Sequence, residues 1–122
     1  MSKFSTYLKH KLEQNNLSQN KFAKMIGVSP TYVGDMINGR KGPPDKDLQI
    51  KIANSLNIFG SDRYEFFNRI AKEKNEIPSD IYVEVLSNQD KWNQIRKFLE
   101  EKWTISEIIK KKWYNAFDKL YC

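Results

Sequence analysis

The sequence predicts an all-α protein. Apolar residues recur at spacings of three and four, the alternating runs of a half-buried strand are missing, and Ser, Thr, Asp, Asn, Gly and Pro stand where helices would begin or end. A first helix is expected over residues 4–15, with Phe4, Leu8 and Leu12 on one stripe and Tyr7 and Lys11 beside it. The Asn15-Asn16 pair ends it, because an Asn side chain competes for the backbone's hydrogen bonds. Ser18 is placed to N-cap a second helix over residues 19–26, and Gly27 supplies the turn that follows. Ser29 caps a third helix whose first residue is Pro30, a position where the missing N–H costs no hydrogen bond. Asn38-Gly39 stops this helix, and Arg40-Lys41-Gly42-Pro43-Pro44 forms a stiff basic loop.

Asp45 or Asp47 opens a fourth helix, whose Leu48, Ile52 and Leu56 are spaced by four for a buried face. Asp62 followed three residues later by Glu65 reads as a capping box for a fifth helix, with Tyr64, Phe67, Ile70 and Ala71 turned inward. Residues 72–76 form its charged exit. After Pro78 a short helix carries Ile81, Val85 and Leu86. Trp92, Ile95, Leu99 and Trp103 then mark one edge of an amphipathic helix, with Phe98 adjoining. Thr104 with Glu107 forms a second capping box for a last helix bearing Ile105, Ile108, Ile109, Trp113, Phe117 and Leu120. The expected organisation is a five-helix domain over residues 1–75 and a helical extension over residues 76–122.

The 122 residues carry a net charge of +6 and are 39% hydrophobic, enough for one modest core. Residues 1–60 hold 9 Lys/Arg against 4 Asp/Glu, whereas residues 61–122 hold 12 against 11, so the positive excess lies in the first half. Such a surface favours an acidic partner. Cys122 is the lone cysteine, which excludes an intrachain disulfide and fits a reducing cytoplasm. No apolar run approaches the roughly 18 residues of a membrane span, and the polar start resembles no signal peptide, so no membrane partner is expected. Lys110-Lys111-Lys112 beside Trp113 would suit a lipid interface, but Glu107 and Asp118 dilute that pattern. No nucleophile with a base, metal cluster or phosphate loop is visible, so neither an enzyme nor a cofactor is expected. His10, the single histidine, lies between two lysines as a surface residue without metal-binding companions, and Glu100-Glu101 reads as a solvated face.

Two helices that cross closely need a small residue on the first, a glycine-like turn and inward apolar residues on the second. Ala23, Gly27, Val33 and Met36 supply these. With Leu17-Ser18-Gln19, Gly27-Val28-Ser29, Asn38-Gly39-Arg40 and Ile52-Ala53, residues 4–58 resemble the phage Cro/C1-repressor type of helix-turn-helix, the XRE family. Three features depart from it: Ile37 stands where many relatives have Glu, Gln49 where many have Leu, and the Pro43-Pro44 loop is stiffer than usual.

The resemblance implies a lambda-repressor-like domain that regulates transcription, as a repressor on a two-fold operator in double-stranded DNA. The third helix would enter the major groove, presenting Thr31, Tyr32 and Asp35, with Pro30 and Gly34 lining the close approach. Thr31 would meet a base edge or a thymine methyl, and Asp35 would accept from cytosine N4. Gly34 is explained either by clearance for the bases or, as the bland alternative, by neutral drift or close helix packing. Phosphates would be held by Gln19, Lys21 and Lys24 on one side and by Ser29, Asn38, Arg40 and Lys41 on the other. A two-fold site requires a homodimer, for which Trp92, Phe98, Trp103, Ile109, Trp113, Phe117 and Tyr121 offer an aromatic surface. The same residues would alternatively cover the amino-terminal core within one subunit. The rival reading is a protein-interaction module of the same fold, antitoxin-like or anti-repressor-like.

Overall fold

Seven α-helices and one 3₁₀ turn make up the described residues, 3–102 of a computed structural model, and no strand occurs among them. The helices are α1 (Lys3–Gln14), α2 (Gln19–Ile26), α3 (Pro30–Ile37), α4 (Lys46–Ser55), α5 (Gly60–Lys74), α6 (Ser79–Ser87) and α7 (Trp92–Lys102), with the 3₁₀ turn at Gln89–Lys91. The chain divides into two compact units between Val83 and Glu84.

In the first unit, side-chain caps set three of the starts. Ser18 Oγ accepts the Lys21 N–H, Ser29 Oγ the Tyr32 N–H and Asp45 Oδ1 the Leu48 N–H, at 3.0, 3.1 and 3.1 Å. Each such cap stabilises its helix by about 1 kcal/mol. Gly27, left-handed at φ +75°, closes α2 and donates its N–H to Ala23. Asn75, also left-handed, closes α5 in the same way with Ala71. Asparagine tolerates this conformation better than other residues with a side chain.

The caps orient one continuous core. Phe4, Leu8 and Leu12 of α1 meet Phe22, Ala23 and Ile26 of α2, Val33 and Met36 of α3, Ile52 and Ala53 of α4, and Phe66, Phe67 and Ile70 of α5. Helix α3 packs on α1 and α2, α2 also on α4, and α5 on α1 and α4. The Phe4 N–H at the start of α1 donates to Glu73 Oε1 of α5 at 3.1 Å, fastening the two helices at one end. Tyr7 lies half-buried between Phe66 and the Arg69 guanidinium, and burial pushes its hydroxyl above the ordinary tyrosine range, against the opposing pull of Arg69.

Three details differ from the pattern expected. Asp62 is no N-cap: α5 begins at Gly60, Phe59 occupies the cap position without a side-chain bond, and Asp62 sits in the first turn. The buried Ile58 draws the chain inward before Asp62 is reached, and the carboxylate there still suits the positive end of the helix. That register turns Phe66 into the core and leaves Tyr64 65% exposed. On α4, Gln49 takes the fully buried place and Leu48 the half-buried one.

Gln49 is stable there because both ends of its amide are paired. Its Nε2 donates to the Pro44 carbonyl at 2.8 Å, and its Oε1 accepts the Ser79 hydroxyl at 2.7 Å. Lys74 Nζ donates to the same Pro44 oxygen at 3.1 Å. The polar cluster ties the loop after α3 and the first residue of α6 to α4 and α5, so the unit packs through to Val83, beyond residue 75. In the second unit, Trp92 Nε1 donates to Val85 O at 2.6 Å and Asn88 Nδ2 to Glu84 O at 2.7 Å, joining the end of α6 to the start of α7. Trp103 and the helix expected after Thr104 lie outside the described residues.

Ser79→Ala strands the Gln49 oxygen in the core and should cost about 1–3 kcal/mol. The double change Gln49→Leu/Ser79→Ala removes both partners and should cost less than Ser79→Ala alone, as read from urea unfolding of the full chain.

Candidate nucleic-acid interface

Helix α3 is two turns long and has two distinct faces. Val33, Gly34 and Met36 are buried, while Pro30 and Thr31 are exposed and Tyr32 and Asp35 are partly so. Four of the five residues expected to meet bases thus share one outward surface. Gly34 does not belong to it. A Cβ at Gly34 would stand 2.7 Å from Nε2 of Gln19, whose amide lies across that position and donates to the Pro30 carbonyl at 2.8 Å. A Cβ there would have to displace only the end of the flexible Gln19 side chain, so the bare Cα makes room for the Gln19–Pro30 bond without being indispensable to the α2–α3 crossing.

Gln19 in turn spends one side-chain donor inside the unit. The amides at the two helix starts also differ. At α2 the Lys21 N–H is taken by Ser18, and the Gln19 and Asn20 N–H groups precede it without intrahelical acceptors. At α3, Pro30 contributes no N–H and that of Tyr32 is held by Ser29, whose own O–H remains a donor. An anion is better received at α2. Ser18, Asn20, Lys21, Lys24, Val28 and Pro30 line a concave surface there, with both lysines exposed.

The loop after α3 folds back on it. The Arg40 and Lys41 N–H groups both donate to the Asp35 carbonyl, at 2.8 and 3.0 Å, and the Asn38 N–H donates to Gly34 O. Arg40 Nε donates to Asp35 Oδ1 at 2.8 Å, and the Lys41 ammonium stands 5.4 Å from the centre of the Tyr32 ring. Two cations assigned to phosphates in the sequence thus touch two residues assigned to bases. The pairings span five and nine residues across an Asn-Gly turn, so no helical spacing announces them. Residues 17–41 contain Lys21, Lys24, Arg40 and Lys41 against the single acid Asp35, and Asp35 is the one neutralised internally.

His10 is exposed and 3.9 Å from Glu13. Among the described residues no helix is long and apolar enough to cross a membrane. On α7, Trp92 and Phe98 are exposed, Phe98 by 55%. The other aromatic-surface residues, Trp103, Ile109, Trp113, Phe117 and Tyr121, lie outside the described residues.

Comparison with known proteins agrees with this geometry. Residues 8–58 match the family model described as helix-turn-helix. The chain is also similar to the "ImmF control region 10 kDa protein" of Bacillus phage phi105, at 38% identity over 56 residues, which span 46% of this chain and 61% of that protein. No solved structure matches.

Gly34→Ala should displace the Gln19 amide from Pro30. The helix gains about 1 kcal/mol from alanine and loses an exposed hydrogen bond of similar size, so unfolding in urea should show a net change below about 1 kcal/mol.

Proposed function

We propose, from the premise that residues 8–58 are a Cro/C1-type helix-turn-helix domain, that this chain is a cytoplasmic, sequence-specific DNA-binding regulator of transcription and no enzyme. In this reading α3 lies in the major groove and repression follows from occupying a two-fold operator. The single observation that carries it is the two-faced α3: one side is locked into the core, the other is outward and bordered by cations on both flanks.

Each group then has a task. Lys21, Lys24 and the free amides at the start of α2 grip phosphates on one side of the groove, while Ser29, Asn38 and Lys41 do so nearer α3. Gln19 keeps a second amide N–H for the same purpose. Thr31 and Tyr32 face base edges, and Pro30 sets the depth of approach. Phosphate contacts fix the position of the domain, and the outward face of α3 selects the sequence.

A two-fold operator needs two copies of α3 about one DNA turn apart, roughly 34 Å. The exposed Trp92 and Phe98 of α7, with Trp103, Ile109, Trp113, Phe117 and Tyr121, furnish the homodimer surface, and the functional division falls near residue 75. Phe98→Asp should convert the dimer to monomer in sedimentation of the full chain, leaving helicity unchanged.

Selection of bound duplexes from a random pool tests the whole reading, with a two-fold symmetric motif as the expected result. Lys21→Ala and Lys24→Ala should each weaken all sequences evenly and lower the salt slope of log K by about 1. Thr31→Ala should instead change the preference at one base step by about 1–3 kcal/mol. Binding without sequence preference or salt dependence would leave a partner-binding module as the correct class.

A further inference from the structure

We propose that Arg40 reads a guanine in the major groove and that Asp35, instead of contacting a base, positions the Arg40 guanidinium to do so. The proposal rests on the DNA-binding reading above and assigns a base class to one part of that site.

Arg40 is held at two points on α3. Its backbone N–H and its Nε both donate to Asp35, to the carbonyl and to Oδ1, each at 2.8 Å. Fixing Nε leaves the two Nη groups free, and the Arg40 side chain is 63% exposed against 24% for Asp35. A guanidinium gripped on one edge presents a parallel pair of N–H donors on another, which matches the O6 and N7 acceptors of guanine. Lys41 is drawn aside over Tyr32, so it does not compete for the same place.

Charge supports the same assignment. A bare carboxylate pressed between phosphate strands would suffer repulsion and lose its water, and both costs fall when it carries its own cation into the interface. Were Arg40 to swing out to a phosphate, Asp35 would be left uncompensated on the face that meets the bases. An exposed ion pair adds little to folding. The consequence of this one is accordingly expected in recognition, with stability nearly untouched.

The test uses the full chain, selection from random duplexes and competition binding on the selected operator. Arg40→Ala and Arg40→Lys should both lose preference for guanine at one position of each half-site, by roughly 5- to 150-fold. The Lys variant matters because it keeps the charge and loses the fork. Asp35→Ala should lose preference at that same position, and the double Asp35→Ala/Arg40→Ala variant should be no worse than Arg40→Ala alone. Replacing that guanine by 7-deazaguanine should weaken the unmodified chain and leave Arg40→Ala indifferent, with urea midpoints of all variants unchanged. Even weakening of all sequences by Arg40→Ala with rescue by Arg40→Lys would make Arg40 a phosphate clamp and overturn the proposal. So would an altered cytosine preference elsewhere in the site on changing Asp35. A chain that binds no duplex at low salt would instead remove the DNA-binding reading itself, and this inference with it.

Discussion

An eight-residue helix does not hold its shape alone in water, because nucleation costs more than two turns of hydrogen bonds return. Helix α3 exists only because Val33 and Met36 are buried and Ser29 caps its start. The rest of the recognition surface follows from that constraint. With one face committed to the core, Thr31 and Asp35 turn outward, while Tyr32 lies at the border, its ring packed partly against the core.

The loop after α3 is held at both ends by polar contacts. Its first residues are bonded to Asp35, and its last, Pro44, is bonded to the buried Gln49 and to Lys74. Little chain lies between the two attachments, and two prolines stiffen it further. A cationic loop so restrained has less freedom to lose when it meets a polyanion, which favours tight and well-registered contact. Gln49 therefore bears on the site although it lies inside the domain. An apolar side chain at that position would fill the space but leave the Pro44 carbonyl and the Ser79 hydroxyl without this partner.

Much of the fold was legible in the sequence, because local chemistry determines it. The starts of α2 and α3 are set by Ser18 and Ser29, and of the two acids the sequence offers for α4 it is Asp45 that caps, each through a hydrogen bond that reaches only three residues along the chain. The stripe of Phe4, Leu8 and Leu12 needed only the helical period. What escaped detection depends on distant partners. Gln49 reads as a misplaced polar residue until Ser79, thirty residues on, supplies its donor. Tyr64 and Phe66 are both aromatic, and spacing alone does not choose between them without the position of Ile58. At the interface the exposed cations could be named one by one, but the joining of Arg40 to Asp35 depends on how the Asn38-Gly39 turn reverses the chain. Gly34 stands out in the sequence as a glycine inside a helix, but its neighbour there, the Gln19 side chain, lies on another helix and no local spacing reveals it.

That turn has a chemical consequence of its own. In an Asn-Gly pair the glycine nitrogen readily attacks the asparagine side-chain carbonyl, closing a succinimide as ammonia leaves, and water then opens that ring to aspartate or isoaspartate. Here the Gly39 N–H is donated to the Met36 carbonyl at 3.3 Å, which holds that nitrogen away from cyclisation while α3 stays wound. A chain that spends time unfolded loses this shelter and ages at Asn38, gaining a negative charge beside Arg40 and Lys41. Persistence of the native state thus guards the covalent integrity of the surface, as well as its shape.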